Sequence, residues 1–176
     1  MAGSALACVA RAGSDEWADA KPRLVPAPAP AGDDEPSGAE KNRFRVLLVE
    51  DDASMALLCR FNLELSGFEV TTAATGAEGL ALARNGAYDV LLFDVMLPDI
   101  GGLELAARIE GTPVVFMSAR GSTEDIDRGR AAGGIDYIVK PFDPVALPER
   151  LRGDLEELAK SGPEGVWRLR HGRTRM

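Results

Sequence analysis

Hydrophobic and polar positions follow two different periods along residues 44 to 160. Five short runs are rich in apolar and β-branched residues, namely RVLLV, FEVTTA, DVLLF, PVVFM and DYIVK. Between them lie longer segments, such as SMALLCRFNLELSG, in which apolar residues recur every three or four positions. Short apolar runs predict strands, and the longer period predicts amphipathic helices. This strict alternation predicts an α/β domain with a parallel sheet and helices on both faces.

The second run, FEVTTA, alternates apolar and polar residues, whereas the other four are nearly continuous. An alternating strand is typical of a sheet edge, and a continuous apolar strand is typical of the interior of a parallel sheet. These patterns favour a doubly wound five-stranded sheet of order 2-1-3-4-5. In that order strands 1 and 3 are neighbours, and ligands bind at their carboxyl ends.

The helix boundaries carry capping residues. Thr75 and Glu78 form a capping-box pattern at the start of the second helix, and Ser122 opens the fourth. Pro148 comes early in the fifth helix, so we expect a kink or a late start there. The stretch from Asp94 to Ser118 leaves little room between the third and fourth strands, which predicts a short third helix or a short exit loop after it.

Composition divides the chain into three parts. Residues 1 to 43 are rich in Ala, Gly, Pro and acidic residues and include VPAPAPAGDDEPSG, which predicts a disordered extension. Residues 44 to 160 form the predicted domain. Residues 161 to 176 carry four arginines and one glutamate, so we expect a solvated basic tail with Trp167 outside the core. The alternative is a tail that contacts an acidic partner, nucleic acid or the domain itself, with Trp167 as an anchor.

The whole chain of 176 residues has a formal net charge of −8 and is 45% hydrophobic. This balance supports a real core and argues against a dominant nucleic-acid surface. The sequence contains no run of eighteen apolar residues, so no membrane span is predicted. The two cysteines, Cys8 and Cys59, lie in dissimilar contexts, which favours a reducing, cytoplasmic location.

Acidic residues gather at the predicted carboxyl ends of strands 1 and 3. Strand 1 runs into Glu50, Asp51 and Asp52, and strand 3 runs into Asp94. Neighbouring carboxylates raise one another's pKa, and Mg²⁺, which prefers oxygen ligands, relieves their repulsion. For each aspartate alone the alternative is a helix or loop cap. Their convergence favours a metal site.

Strands 4 and 5 add two complementary groups at the same edge. Ser118 ends the fourth strand and Lys140 follows the fifth. Carboxylates for a metal, a hydroxyl and an ammonium together suit a phosphoryl group. The alternatives are a helix-start hydroxyl for Ser118 and a surface charge for Lys140. Contributions from four strand ends favour the phosphoryl site.

Four motifs, VLLVEDD, LLFDVMLPDIGGLEL, VVFMSARG and GGIDYIVKPF, occur in this order. With them, residues 44 to 160 resemble the receiver (CheY-like) domains of two-component response regulators. The resemblance implies a flavodoxin-like fold in which Asp94 accepts a phosphoryl group. It also implies a Mg²⁺ cofactor held by Glu50, Asp51, Asp94 and the backbone carbonyl of Met96, with Asp51 as the direct ligand of the acidic pair.

The resemblance assigns three further roles. Lys140 would contact the phosphoryl group. The Lys140–Pro141 peptide bond would be cis, which is plausible because proline follows. Ser118 would move to the phosphoryl group and Tyr137 would turn inward, which changes the face of the fourth helix, fifth strand and fifth helix. Without the resemblance, Tyr137 would be interpreted as a tyrosine packing on the surface of an edge strand. The same site would later hydrolyse the aspartyl phosphate.

The implied partners are a sensor histidine kinase or phosphotransfer protein and a downstream protein target. The residues after 160 are too few for a DNA-binding domain, so we expect a stand-alone receiver without a nucleic-acid partner. Two alternatives stay open, a pseudo-receiver that binds partners without phosphorylation and a remnant of a DNA-binding regulator. A Mg²⁺-dependent phosphatase would need a general acid two positions after Asp94, where Met96 stands.

Overall fold

The structure is a computed structural model, and it describes residues 43 to 171. The prediction of a disordered extension over residues 1 to 43 therefore falls, apart from Arg43, outside the described residues. The same holds for residues 172 to 176 of the predicted tail. Within residues 43 to 171, no helix is both long enough and apolar enough to cross a membrane.

Strands and helices alternate through the described chain as predicted. The elements are β1 (Arg45–Val49), α1 (Ala53–Leu65), β2 (Glu69–Ala73), α2 (Gly76–Asn85), β3 (Val90–Asp94), α3 (Gly102–Ala106), β4 (Val114–Ser118), α4 (Thr123–Ala131), β5 (Gly134–Val139) and α5 (Leu147–His171). All strand pairs are parallel, and the order is β2-β1-β3-β4-β5. This confirms the predicted flavodoxin-like, doubly wound α/β fold.

The two faces of the sheet carry separate apolar layers. Successive residues of a strand point to opposite faces. In β1, Leu48 packs in one layer, with Leu63 of α1 and Leu151 of α5. Its neighbour Leu47 packs in the other layer, with Leu105 of α3. The buried strands are therefore covered on both sides, which explains their continuous apolar runs.

Helix starts follow the capping residues. Thr75 Oγ1 accepts a hydrogen bond from Glu78 N at 3.2 Å, and the Glu78 carboxylate accepts one from Ala74 N at 3.0 Å. Ser122 caps α4 by accepting from the Asp125 amide. The predicted cap patterns are confirmed, and α3 is short, with five residues.

Proline marks the start of α5. The helix begins at Leu147, so Pro148 lies in its first turn, where an amide proton is not needed for a helical hydrogen bond. The expected late start is confirmed.

The prediction of a solvated tail is wrong for residues 163 to 171, and the alternative of a tail that contacts the domain itself through Trp167 is right for them. Gly162 has φ 68° and ψ −175°, which breaks α5, and a second helical stretch follows, called here the C-terminal helix (residues 163–171). From here on, α5 means the part before this break, residues 147–161. Val166 is fully buried and Trp167 is 3% exposed. The sequence shows little sign of this helix, because the segment is short and the pair Gly162–Pro163 is typical of the end of a helix. Proline is equally suited to the first turn of a new helix.

Candidate functional site

The carboxylate cluster follows from the strand order. Val49 of β1 lies opposite Phe93 of β3, so Glu50 and Asp94 lie next to each other at the carboxyl edge of the sheet. Carboxylate oxygens of Glu50, Asp51 and Asp94 all lie within 4.8 Å of one another. Glu50 and Asp94 are buried, at 2% and 5% exposure, whereas Asp51 is exposed. The structure thus brings the three predicted acidic groups together, with one side open to solvent.

Asp52, the fourth acidic residue, has a different role. It is the N-cap of α1, and its carboxylate accepts hydrogen bonds from the amides of Ser54 at 2.8 Å and Met55 at 2.9 Å. The capping alternative is therefore right for Asp52 and separates it from Asp51. The two adjacent aspartates form a natural pair for mutagenesis.

Lys140 lies at the centre of the acidic cluster. Its Nζ donates to both oxygens of Glu50, at 2.9 and 2.7 Å, and to Asp94 Oδ2 at 2.7 Å. Its backbone N donates to the carbonyl oxygen of Ser118 at 2.7 Å, which fixes it at the sheet edge. The Lys140–Pro141 peptide bond is cis, as expected. The alternative of a surface charge is wrong for this lysine.

Electrostatics at the site depend on burial and pairing. Burial raises the pKa of Glu50, and the hydrogen bond from Lys140 opposes this effect only in part. Burial acts to lower the pKa of Lys140, but its bonds to Asp94 and Glu50 outweigh it, so the net pKa is raised. Lys140 is therefore a stable ammonium ion at neutral pH.

The residues fit a divalent cation. When ionised, the three carboxylates carry two more negative charges than the single ammonium balances. All the side-chain donors are oxygens, and the exposed side of the cluster leaves room for the water ligands that Mg²⁺ keeps. Met96 N donates to Asp94 Oδ1 at 2.7 Å, which places the Met96 peptide beside the cluster. The role of its carbonyl as a ligand stays a prediction.

Ser118 ends β4 beside the cluster and is fully buried. Its Oγ accepts a hydrogen bond from Arg120 N at 3.1 Å. The alternative of a helix-start hydroxyl is wrong, because Ser122 caps α4. Ser118 therefore ties the following loop to the edge of the site.

Tyr137 is buried inside the domain. Its ring packs against Phe116 with centroids 6.4 Å apart, and its hydroxyl donates to the Arg120 carbonyl oxygen at 2.9 Å. Gly129 of α4 makes room for it, since a Cβ there would lie 2.5 Å from a ring carbon. The alternative of a surface tyrosine is wrong, and the ring occupies an inward position in this structure.

Two residues that support the site escaped the sequence analysis. Asp99 accepts hydrogen bonds from the amides of Gly76 and Ala77, both at 2.8 Å, which lower its pKa and tie the loop after Asp94 to α2. Gly102 packs so closely that an added Cβ would overlap the Asp94 carbonyl oxygen. Both belong to the PDIGG stretch, whose composition indicates only a turn.

The sequence profile of the response regulator receiver domain matches residues 46–152, more than half of the chain. The chain belongs to this family. Among solved structures, the receiver resembles a CheY-like receiver domain protein from Methanospirillum hungatei JF-1, with TM-score 0.63 and 35% identity, covering 68% of this chain and 99% of that one. It also resembles the receiver domain of the Francisella response regulator 1452, with TM-score 0.62 and 32% identity, covering 65% and 98%.

Curated relatives are longer proteins. The receiver is 39% identical to the uncharacterized transcriptional regulatory protein YkoG of Bacillus subtilis (strain 168), over 64% of this chain and 51% of the relative. It is 37% identical to the phosphate regulon transcriptional regulatory protein PhoB of Rhizobium meliloti (strain 1021), over 63% and 52%. The receiver thus spans about half the length of these relatives. It is a receiver domain of two-component response regulators, a family that generally binds Mg²⁺ and interacts with histidine kinases or phosphotransfer proteins.

Proposed function

We propose that this chain is a stand-alone cytoplasmic receiver that accepts a phosphoryl group on Asp94 and signals through the face formed by α4, β5 and α5, called here the output face. One observation carries the proposal. The Asp94 carboxylate lies within hydrogen-bonding distance of Lys140 and within 4.8 Å of the Glu50 and Asp51 carboxylates. A nucleophile, a fixed cation and a place for a second cation thus meet at one point.

The chemistry follows from these groups. A carboxylate oxygen of Asp94 attacks phosphorus, and the bond from phosphorus to the donor breaks, with its electron pair leaving on the donor. Glu50, Asp51 and Asp94 would hold Mg²⁺, which neutralises charge on the phosphoryl oxygens. Lys140 exchanges its bond with Asp94 for one with a phosphoryl oxygen. Positioning and charge therefore account for most of the catalysis, and the reactions are the receiver's own phosphorylation and dephosphorylation.

The switch uses Ser118 and Tyr137. When the Ser118 hydroxyl turns to the phosphoryl group, it ceases to accept the bond from Arg120 N. The Tyr137 hydroxyl is bonded to the carbonyl of the same residue. A local charge change is thereby linked to β5 and the output face.

The proposed donor is a sensor histidine kinase or a phosphotransfer protein, and the proposed target is a downstream protein. Leu57, Phe61 and Leu65 leave large apolar side chains exposed at four-residue spacing along α1. Such a stripe is typical of a surface that meets another protein.

Intact mass after incubation with acetyl phosphate and Mg²⁺ tests the proposal. We expect a gain of about 80 Da, the mass of one added HPO₃ group, that is absent with EDTA and in Asp94→Ala. Asp51→Ala should lose most of the adduct, whereas Asp52→Ala, which removes only a helix cap, should keep it. No adduct on the native chain, at short times and low temperature, would refute the proposal in favour of a pseudo-receiver.

A second candidate is the receiver part of a DNA-binding transcription regulator. The relatives named above are transcriptional regulatory proteins about twice as long as the matched region. Both candidates predict phosphorylation of Asp94, and they differ in whether the whole protein that contains these 176 residues binds DNA. A mobility-shift assay of that whole protein with random-sequence DNA at physiological salt, with and without acetyl phosphate, tests this difference, and a shift would favour the DNA-binding regulator.

A further inference from the structure

The C-terminal helix lies on all three elements of the output face. Glu164 pairs with Arg130 of α4, and the Arg130 guanidinium also lies 5.6 Å from the centroid of the Trp167 ring. His171 Nε2 is 2.9 Å from Asp136 Oδ1 on β5. Arg170 Nε donates to Asp154 of α5 at 2.6 Å. The face that would signal to a partner is therefore occupied by the chain itself.

This contact contains a buried charge network. Asp136 and Asp154 are both fully buried. Asp136 accepts from Arg150 Nε and Nη2 at 2.6 and 2.9 Å, besides its contact with His171. Although burial opposes it, the bonds with His171 and Arg150 hold the pKa of Asp136 at about 2, so this carboxylate stays charged. Specific charge pairs therefore position the helix together with the buried side chains of Val166 and Trp167.

Two features would help the C-terminal helix to detach, although its two large apolar side chains are buried. The change of chain direction lies at Gly162, where an added Cβ would meet no atom within 4 Å. Among its buried side chains, Val166 and Trp167 are the large apolar anchors. Asp154 Oδ2 is buried without a hydrogen-bond partner in the described chain, so one anchor is incompletely satisfied.

A continuous set of contacts links the helix to the phosphorylation site. Arg120 N donates to Ser118 Oγ, and the Arg120 carbonyl accepts from the Tyr137 hydroxyl. The Tyr137 backbone N donates to Asp136 Oδ1 at 2.7 Å, and this oxygen is the one that contacts His171. These contacts form a route by which a shift of Ser118 would reach the carboxylate that holds the end of the C-terminal helix.

We propose that the C-terminal helix is an intramolecular cover of the output face, which phosphorylation of Asp94 releases so that a protein partner can bind there. The inference rests on the proposed function, because release is driven by the movement of Ser118 toward the phosphoryl group. A partner competes with residues 163–171 until the loop after β4 rearranges. The C-terminal helix thus sets how much phosphorylation is needed before a partner binds the output face.

The fluorescence of Trp167 measures directly whether the C-terminal helix is packed on the output face. The chain has two tryptophans, so Trp17→Phe leaves Trp167 as the single one in the full chain. This variant is incubated with acetyl phosphate and Mg²⁺, and three quantities are followed in one sample: intact mass, acrylamide quenching of Trp167 and hydrogen exchange of residues 163–171. We expect the quenching constant to rise at least threefold and exchange to accelerate in step with the phosphoryl adduct. Adding Asp94→Ala should abolish all three changes.

The outcomes separate the two proposals. An adduct with unchanged quenching and exchange would overturn the cover and leave the proposed function standing. No adduct would overturn the proposed function and the inference together.

A matched pair tests the anchors before phosphorylation. Arg170→Ala removes the partner of Asp154, whereas Arg168→Ala removes the same charge from an exposed position of the same helix. We expect raised Trp167 quenching in the first variant and native quenching in the second. Equal quenching in both variants would show that the charge network does not hold the helix, which contradicts the proposal.

Discussion

Asp154→Asn is predicted to stabilise this protein at alkaline pH. Asp154 is fully buried in α5, and Arg170 Nε donates to its Oδ1 at 2.6 Å. Its second oxygen is unsatisfied within the described residues. Burial, and then the charge of Asp136, raise the pKa of Asp154 to about 7. Folding at pH 8 therefore keeps a carboxylate charged in surroundings that favour its neutral form.

The magnitude follows from the pKa. A rise from 3.8 to about 7 is roughly three units, and at about 1.36 kcal/mol per unit the cost at pH 8 has a ceiling of about 4 kcal/mol. The bond with Arg170 lowers the pKa of Asp154, so the value of about 7 already includes it, and asparagine keeps an acceptor for Arg170. We expect a net gain of about 1–3 kcal/mol in the free energy of unfolding at pH 8.

The sign of the pH dependence gives a second test. Because the folded pKa is raised, the folded state holds a proton that the unfolded state releases between about pH 4 and pH 7. Native stability should therefore increase as pH falls through 7. Between pH 8 and pH 5.5 the advantage of Asp154→Asn should shrink by about 2 kcal/mol.

Urea denaturation followed by circular dichroism, in EDTA at pH 8 and pH 5.5, measures both quantities. Asp127→Asn, which removes the same charge from an exposed position of α4, is the control and should match the native chain. The raised pKa of Glu50 contributes equally to all three proteins and cancels in the comparison. Lower stability of Asp154→Asn at pH 8, or an advantage that does not change with pH, would refute the reasoning.

Two further predictions concern the phosphorylation site. In urea denaturation, Gly102→Ala should lower the free energy of unfolding by about 3 kcal/mol, because the added Cβ overlaps the backbone of Asp94. The control Gly101→Ala should change it by less than about 0.5 kcal/mol, because its Cβ meets the nearest atom at 3.4 Å. Equal effects of the two would contradict the packing argument. Lys140→Gln should bind Mg²⁺ about tenfold more tightly in calorimetric titration, because the ammonium no longer occupies Glu50 and Asp94. Weaker binding would show that Lys140 organises these ligands more than it competes for them.

The site was largely predictable because strand ends have fixed places in a doubly wound sheet. Four continuous apolar runs and one alternating run indicated a strand order that the structure confirms, and this order brings Glu50, Asp94, Ser118 and Lys140 to one edge. What the sequence did not reveal is how the charges pair when they meet. The bond from Lys140 to both Glu50 and Asp94 depends on side-chain geometry that no spacing encodes.

The C-terminal helix was missed for a different reason. Its buried anchors, Val166 and Trp167, are adjacent residues and therefore show no helical period. Its charge partners Asp136 and Asp154 are distant in sequence, so their pairing with His171 and Arg170 leaves no local pattern. Asp99 escaped for the same reason, since it caps a helix that begins 23 residues earlier.

The position of the C-terminal helix has a consequence for self-association. Val166 joins the apolar layer of α1 and α5, and Trp167 joins the layer on the opposite face of the sheet. Two adjacent residues therefore bridge both layers beside β5, which is an outer strand. An uncovered outer strand offers unpaired backbone groups to other chains and invites edge-to-edge aggregation. If the C-terminal helix is released during signalling, β5 would be open to pairing with other chains. The risk of aggregation would then be lowest when the phosphorylated state is short-lived.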